Sequence, residues 1–144
     1  MARTLVGRTR ELVRVYYYNA PVNQSEVPDQ YKRQQAFFDS LRKLDYFEIR
    51  LGSLRHRSGG KMIEEGVDVR LAVDMVGFAA RGLYDTAILI SADGDFAAAV
   101  QFVKDMGKHV EVAYPAGGKL YHLRAVCDKF ISLDDSFLKD NPVK

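Results

Sequence analysis

Five short apolar runs rich in β-branched and aromatic residues recur along the chain and predict β-strands. They are "LVRVYYY" (12–18), "FEIRLG" (47–52), "AILIS" (87–91), "VEVAY" (110–114) and "FISL" (130–133). Segments of helical length separate them. Because strands that alternate with helices build crossover units, this order predicts a mostly parallel sheet.

Four of the intervening segments repeat apolar residues with the helical period of 3.6. The predicted helices and their apolar stripes are 29–44 (Phe37, Leu41, Leu44), 67–82 (Val67, Leu71, Met75, Phe78), 95–107 (Phe96, Val100, Val103, Met106) and 119–129 (Leu120, Leu123, Cys127). Two of them run into a glycine, Gly82 and Gly107, which is typical of a helix end.

The predicted fold class is therefore α/β, a doubly wound and mostly parallel sheet with helices on both faces, formed by one domain over residues 1–144. Two polar connections, 19–29 and 55–66, each follow a predicted strand. In open parallel sheets ligands bind beyond the carboxyl ends of the strands. These connections and the turn after "AILIS" are thus expected at one binding edge.

Composition narrows the class of protein only modestly. The 144 residues are 47% hydrophobic, enough for a core without metal or disulfide, and the single cysteine, Cys127, cannot form an internal disulfide. No apolar run approaches the length of a membrane span, so we expect a cytoplasmic protein without a membrane partner. A formal net charge of +2 permits a polyanionic partner without indicating one.

The candidate chemistry begins with "SADGDF", directly after the most apolar predicted strand. Asp95 has an ordinary interpretation as a helix N-cap and Gly94 as a tight-turn residue. Asp93 would then stand about 6 Å from Asp95, where two like charges repel by roughly 3 kcal/mol at an effective dielectric of 20. A bound cation would remove that repulsion, so the turn is either a simple cap or part of a metal site.

A third acid, Asp68, opens the helix after the 55–66 connection, where it could also complement the helix dipole. Asp74 lies six residues further on, about 240° around the helix, and is interpreted as a solvated or structural acid behind any metal ligands. Three carboxylates without a nearby His or Cys suit a hard cation such as Mg²⁺ or Mn²⁺. In proteins, a cation bound in this way commonly acts on phosphate groups.

The remaining candidates have stronger structural interpretations. "RHRSGGK" offers Arg55, Arg57 and Lys61 for a nucleic-acid backbone, although such a loop is often only solvated. Tyr16 and Tyr18 could stack on bases, but alternation along a strand favours core packing. The last group, His109, His122 and Cys127, has no paired catalytic partner in sequence and is interpreted as incidental or as core.

Four segments together resemble the NYN domain, and specifically the LabA-like branch of the PIN-like nucleases. They are "RELVRVYYYNAP", "EEGVDVRLAVDM", "ILISADGDFAAAV" and "GKHVEVAYP", and the resemblance extends from about Glu11 to Asp134. It implies a doubly wound parallel sheet and metal-dependent cleavage of RNA. By position, Asp68, Asp93 and Asp95 would hold Mg²⁺ or Mn²⁺, while Ser91 would orient a ligand.

The resemblance has one departure, at the N-terminus. Family members begin with a central strand that carries the first metal-binding aspartate, whereas "MARTLVGRTR" contains no Asp. Such a central strand would bury four or five apolar side chains. At roughly 1.5 to 3 kcal/mol each, their burial is comparable with the whole stability of a domain. We expect a shortened version of a longer protein; the alternatives are a rearranged sheet, or a homodimer that covers the exposed strand edges.

Two functions follow from this comparison. One is a metal-dependent ribonuclease in which Lys61, Arg55 and Arg57 hold the RNA backbone. The other is a non-catalytic LabA-like module that binds RNA or a protein. The missing acid favours the module, and the retained trio of acids favours the nuclease. An aspartyl phosphatase fits poorly, since its Asp-x-Asp would follow an early strand.

Overall fold

The computed structural model describes residues 1–56, 62–115 and 121–140. Its helices are α1 (Ala2–Val6), α2 (Pro28–Arg42), α3 (Val67–Ala80), α4 (Ala97–Asp105), α5 (Tyr121–Val126) and α6 (Asp135–Asp140). Its strands are β1 (Val15–Asn19), β2 (Phe47–Leu51), β3 (Ser53–His56), β4 (Met62–Glu65), β5 (Thr86–Ile90), β6 (His109–Pro115) and β7 (Lys129–Leu133). A 3-10 turn, Gly94–Phe96, precedes α4. None of the helices in the described ranges is long and apolar enough to cross a membrane.

The strands pair as expected for an α/β protein. β1 and β2 form a parallel pair, and β5, β6 and β7 form a parallel sheet in that order. Helices connect the parallel strands, so the predicted α/β class is confirmed. The 55–66 segment, predicted as a plain connection, contributes an antiparallel hairpin of β3 and β4 instead. Runs as short and polar as "SLRH" and "MIEE" carry no strand pattern, and only their pairing makes them strands.

The chain divides into two compact units, and the division falls within α3. One unit contains Met1–Leu12 and Ala72–Lys144, and the other contains Val13–Leu71. In the first unit the central strand β6 is almost completely buried, with Val110, Val112 and Ala113 all at 0% exposure. α4 packs against β6 and directs its own buried residues, Val100 and Val103, toward the core.

The N-terminal residues belong to this same unit. Leu5 of α1 packs with Ala113 and Leu133, on the sheet face opposite to Val110 and Val112. The Arg10 guanidinium donates to both carboxylate oxygens of Glu111 on β6, at 2.7 and 3.2 Å, and to the Leu5 carbonyl at 2.9 Å. Residues 1–12 therefore form a helix and an arm against the sheet, and no strand precedes β1 in this fully described region.

In the second unit, α2 packs on β2 and buries Phe38 completely. Phe38 and Phe37 lie with Phe47 around Tyr17 of β1, with ring centroids 6.1 to 6.4 Å from the tyrosine ring. The predicted stripe of Phe37, Leu41 and Leu44 was wrong, because Phe37 and Leu44 are 45% and 49% exposed. The helical period fits either of the two adjacent phenylalanines as a core residue. Packing against the strands decides that Phe38 is the buried one.

Both predicted glycine stops are confirmed. Gly82 and Gly107 have φ of 67° and 79°, the left-handed region in which glycine carries no side-chain penalty. The N–H of the next residue then closes each helix end, Leu83 onto the Phe78 carbonyl at 3.0 Å and Lys108 onto that of Val103 at 3.3 Å. These stops fix where the chain leaves α3 and α4 to enter β5 and β6.

The ion pair between Arg10 and Glu111 should stabilise the first unit measurably. Glu111 is only 9% exposed, so Arg10→Ala leaves a buried carboxylate without its donor and should lower the free energy of unfolding by about 1–2 kcal/mol. Urea denaturation measures this loss. The matched control is Arg14→Ala, which removes an exposed guanidinium 3.9 Å from Glu48 and should cost less than about 0.5 kcal/mol. Equal effects of the two substitutions would contradict the assigned role of Arg10.

Candidate metal site at the Asp-Gly-Asp turn

The Asp-Gly-Asp turn lies between β5 and α4. β5 is the outer strand of its sheet and is half-buried along most of its length, with Ile90 44% exposed at its end. β6, and not the most apolar predicted strand β5, therefore occupies the centre of this sheet. Ahead of β5, the Tyr84 hydroxyl donates to the Met75 carbonyl at 2.6 Å, and burial raises the pKa of Tyr84 to about 12.

Three hydrogen bonds within six residues hold the turn. The N–H of Asp93 donates to Ser91 Oγ at 3.1 Å, and the N–H of Asp95 donates to Asp93 Oδ1 at 2.9 Å. The N–H of Phe96 donates to the Asp93 carbonyl at 3.3 Å. Phe96 itself is 4% exposed and anchors the turn in the core. The backbone that carries both carboxylates is thus fixed from both ends.

These bonds reverse the roles that the sequence suggested for the two acids. Asp93 is the N-cap of the 3-10 turn, whereas Asp95 lies in its first turn and is exposed. The interpretation of Asp95 as the cap was wrong, since a 3-10 turn intervenes before α4 and moves the cap back by two residues. The backbone conformation at position 94 does not require a glycine either, because the φ of Gly94 is not positive.

The capping role still leaves Asp93 able to bind a cation. A carboxylate offers about four lone-pair positions, and the bond from Asp95 takes one of them. Within the described ranges, neither Asp93 nor Asp95 forms an ion pair with Lys or Arg. The two acids therefore supply hard oxygen donors of the kind that Mg²⁺ and Mn²⁺ prefer.

The other two acids of the predicted site lie on α3. Asp68 is an exposed residue of its first turn, in the second compact unit, and Asp74 is half-buried in the first unit. Both take part in further interactions within the structure. Over the described residues, the structure contains no group of three or more His, Cys, Asp or Glu side chains arranged to hold a metal. The joint ligand set of Asp68, Asp93 and Asp95 stays a prediction.

His122 is a neighbour of the turn that the sequence gave no reason to select. A Cβ placed on Gly94 would lie 3.6 Å from both Cβ and Cδ2 of His122, which is ordinary van der Waals contact. α5, which carries His122, packs against the 3-10 turn and buries Leu123 completely. The interpretation of His122 as incidental rested on the absence of a partner nearby in sequence. The fold brings it against the turn from 28 residues away.

The basic and aromatic candidates belong to the second compact unit or lie outside the described residues. Arg55 lies in β3, and Arg57 and Lys61 lie outside the described residues. Tyr16 is half-buried on β1 with the Arg50 guanidinium 5.0 Å from its ring centroid, which agrees with packing along the strand.

Cys127 and His109 serve packing and pairing. Cys127 is half-buried just beyond α5, and burial raises the pKa of its thiol, as expected for an unreactive cysteine. His109 Nδ1 lies 3.9 Å from Asp128, whose carboxylate accepts the Val110 N–H at 2.7 Å. Cys127 thus lies past the end of α5 and is not fully buried, so its predicted place on the apolar stripe of that helix was wrong.

Comparison with known proteins agrees with this architecture. The NYN domain family matches residues 2–134. The Low amplitude and bright protein LabA of Synechococcus elongatus is 28% identical over 130 residues, which cover 87% of this chain and 64% of LabA. This chain thus spans less than two thirds of that relative's length. A crystal structure of a protein of unknown function from Vibrio parahaemolyticus superposes with a TM-score of 0.72 at 25% identity, over 93% of this chain and 76% of that one.

The fold and the Asp-Gly-Asp turn therefore define a PIN-like α/β protein. The chain belongs to the NYN domain family and is similar to LabA.

Two substitutions of Asp93 remove the same charge but should differ in stability, because Asp93 caps the 3-10 turn. Asn caps helices about as well as Asp and removes the repulsion from Asp95, so Asp93→Asn should raise the stability in EDTA, by up to roughly 3 kcal/mol. Asp93→Ala removes the same charge but also the acceptor of the 2.9 Å bond, and should be about 1 kcal/mol less stable than Asp93→Asn. Urea denaturation of both variants distinguishes these results, and equal stabilities would contradict the cap.

Proposed function

We propose that this protein is a ribonuclease that hydrolyses RNA phosphodiester bonds with a divalent cation, Mg²⁺ or Mn²⁺, held by Asp68, Asp93 and Asp95. The observation that carries the proposal is the turn itself. Three hydrogen bonds and a buried Phe96 hold two adjacent acids at the carboxyl end of a parallel strand. Membership of a nuclease-like family supports the same chemistry.

The charge of the turn favours a cation over a purely structural role. A cap needs one carboxylate, which Asp93 supplies, so Asp95 adds a negative charge that the local hydrogen bonds do not require. Two carboxylates this close in sequence repel by roughly 3 kcal/mol at 6 Å and an effective dielectric of 20. A cation bound between them would convert that cost into an attraction.

A bound Mg²⁺ or Mn²⁺ would lower the pKa of an attacking water and neutralise the charge that develops on the leaving oxygen. The protein's part is to hold its carboxylates in place. Ser91 accepts the Asp93 N–H and so fixes the backbone at that acid, while Asp74 would support the site from behind. Lys61, Arg55 and Arg57 would bind the phosphates of the RNA strand on either side.

The alternative is a non-catalytic LabA-like module that binds RNA or a protein without cleavage. One observation bears on it: residues 1–12 form α1 and an arm without any aspartate, so these residues add no further acid to the proposed ligand set. A homodimer through strand edges also stays a prediction. β5 is the outer strand of its sheet and would be the edge that pairs.

Cleavage of a fluorogenic single-stranded RNA in Mn²⁺ tests the proposed function. We expect the parent protein to cleave and EDTA to abolish cleavage. Asp93→Asn and Asp95→Asn should each reduce the rate by at least about tenfold to a hundredfold, the loss that follows removal of groups that merely support metal ligands. Asp93→Asn keeps the cap, so its loss would report the charge and not the fold.

The matched control is Asp85→Asn, which removes the same charge just before the amino end of β5. The Asp85 side chain is fully exposed and lies 3.7 Å from Lys108, a contact of little energetic value. This variant should cleave at the parent rate. Binding of RNA without cleavage by any variant would establish the non-catalytic module in place of the nuclease.

A further inference from the structure

Tyr121 and His122 begin α5 beside the Asp-Gly-Asp turn. His122 lies beside the turn, because a Cβ built on Gly94 would be 3.6 Å from Cβ and Cδ2 of His122 and α5 packs against the 3-10 turn. Tyr121 is the adjacent residue, and both belong to the same compact unit as the turn. The aromatic pair is therefore joined through His122 to Gly94, the residue between the two acids proposed to hold the cation.

The side chain of Tyr121 is far more exposed than core packing would leave it. It is 80% exposed, the highest value among the exposed large hydrophobic residues of the described chain. Among the described residues its ring contacts that of His122, with centroids 5.7 Å apart and planes at 78°. A near-perpendicular contact of this kind covers at most one face of the Tyr121 ring, so within the described part of the chain at least one face stays open to a flat ligand.

The charge around the turn limits how an RNA strand can be bound here. Asp93 and Asp95 repel phosphate wherever a cation does not cover them, so further affinity at this edge has to come from uncharged parts of the strand. The base is such a part, and every base presents a π-face. Exposed aromatic side chains are the usual stacking platforms for single-stranded nucleic acids, with little preference for sequence.

We propose that Tyr121 stacks on a base of the RNA strand next to the phosphate bound at the Asp-Gly-Asp turn, and that His122 joins this platform to the turn. The inference rests on the proposed function and assigns the base contact of the same site. It predicts recognition of unpaired RNA, because a base within a duplex is already stacked on both faces.

Binding of an intact strand measures this contact without interference from cleavage. The experiment uses fluorescence anisotropy of a 5′-labelled eight-nucleotide RNA in Mn²⁺, with every protein carrying Asp95→Asn so that the strand survives. In that background Tyr121→Ala should weaken binding by about 5-fold to 150-fold, the range for loss of one stacked base. Tyr121→Phe keeps the ring and should bind within about twofold of its parent.

RNAs that lack a single base at one position identify what Tyr121 contacts. At the stacked position the abasic RNA should bind the parent weakly, and Tyr121→Ala should then cause no further loss. The control is Tyr46→Ala, which truncates another exposed tyrosine, 62% exposed, in the other compact unit. It should leave binding unchanged. Since Tyr121 is so exposed, its truncation should not unfold the protein, and circular dichroism verifies this.

The outcomes separate this inference from the proposed function. RNA binding that is insensitive to Tyr121→Ala would overturn the stacking assignment and leave the nuclease proposal intact. A loss that is equal for normal RNA and for every abasic RNA would also overturn it, because the contact would then be with sugar or phosphate. Absence of RNA binding by every protein, including the parent with Asp95 restored, would overturn both proposals.

Discussion

Burial of β6 is the constraint on which the first compact unit depends. Its neighbours β5 and β7 run parallel to it, with Ile90 opposite Ala113, so the chain leaves β5 and β6 at the same edge of the sheet. Because of this register, the turn after β5 and the helix that follows β6 approach each other. The contact of His122 with Gly94 is therefore a consequence of strand pairing and not of any local motif.

At this edge Asp93 has an observed structural role, as the cap of the turn, and a proposed chemical one, as a ligand of the cation. Asp93 caps the 3-10 turn through a single oxygen, which fixes its carboxylate against the backbone. An acid held in this way loses little conformational entropy when it binds a cation, in contrast to a freely rotating side chain. Asp95 adds the second charge from an exposed position. The hydrogen bonds from the backbone N–H groups of Asp93, Asp95 and Phe96 explain how the turn is held.

Sequence patterns predicted the parallel strands, the helices α2 to α5 and both glycine stops, since strand-forming runs, the helical period and a left-handed glycine are local properties, whereas the short helices α1 and α6 were not predicted. They failed where tertiary contacts decide. Phe38 and not Phe37 enters the core, because β1 and β2 select one of two equivalent stripes. The hairpin of β3 and β4 depends on pairing that neither strand encodes alone. His122 was missed for a related reason, as nothing within several residues marks it as a neighbour of Gly94.

The most direct test of the account is whether Asp68 and the Asp-Gly-Asp turn bind the same cation. Titration of Mn²⁺ into the ¹⁵N-labelled protein locates the ion, because paramagnetic broadening of amide signals falls steeply with distance. If the proposed ligand set is right, substoichiometric Mn²⁺ broadens the signals of Asp93 to Phe96 and of Val67 to Val69 together, and spares those around Asp85. Broadening at the turn without Asp68, or equal broadening at every exposed acid, would contradict the shared site.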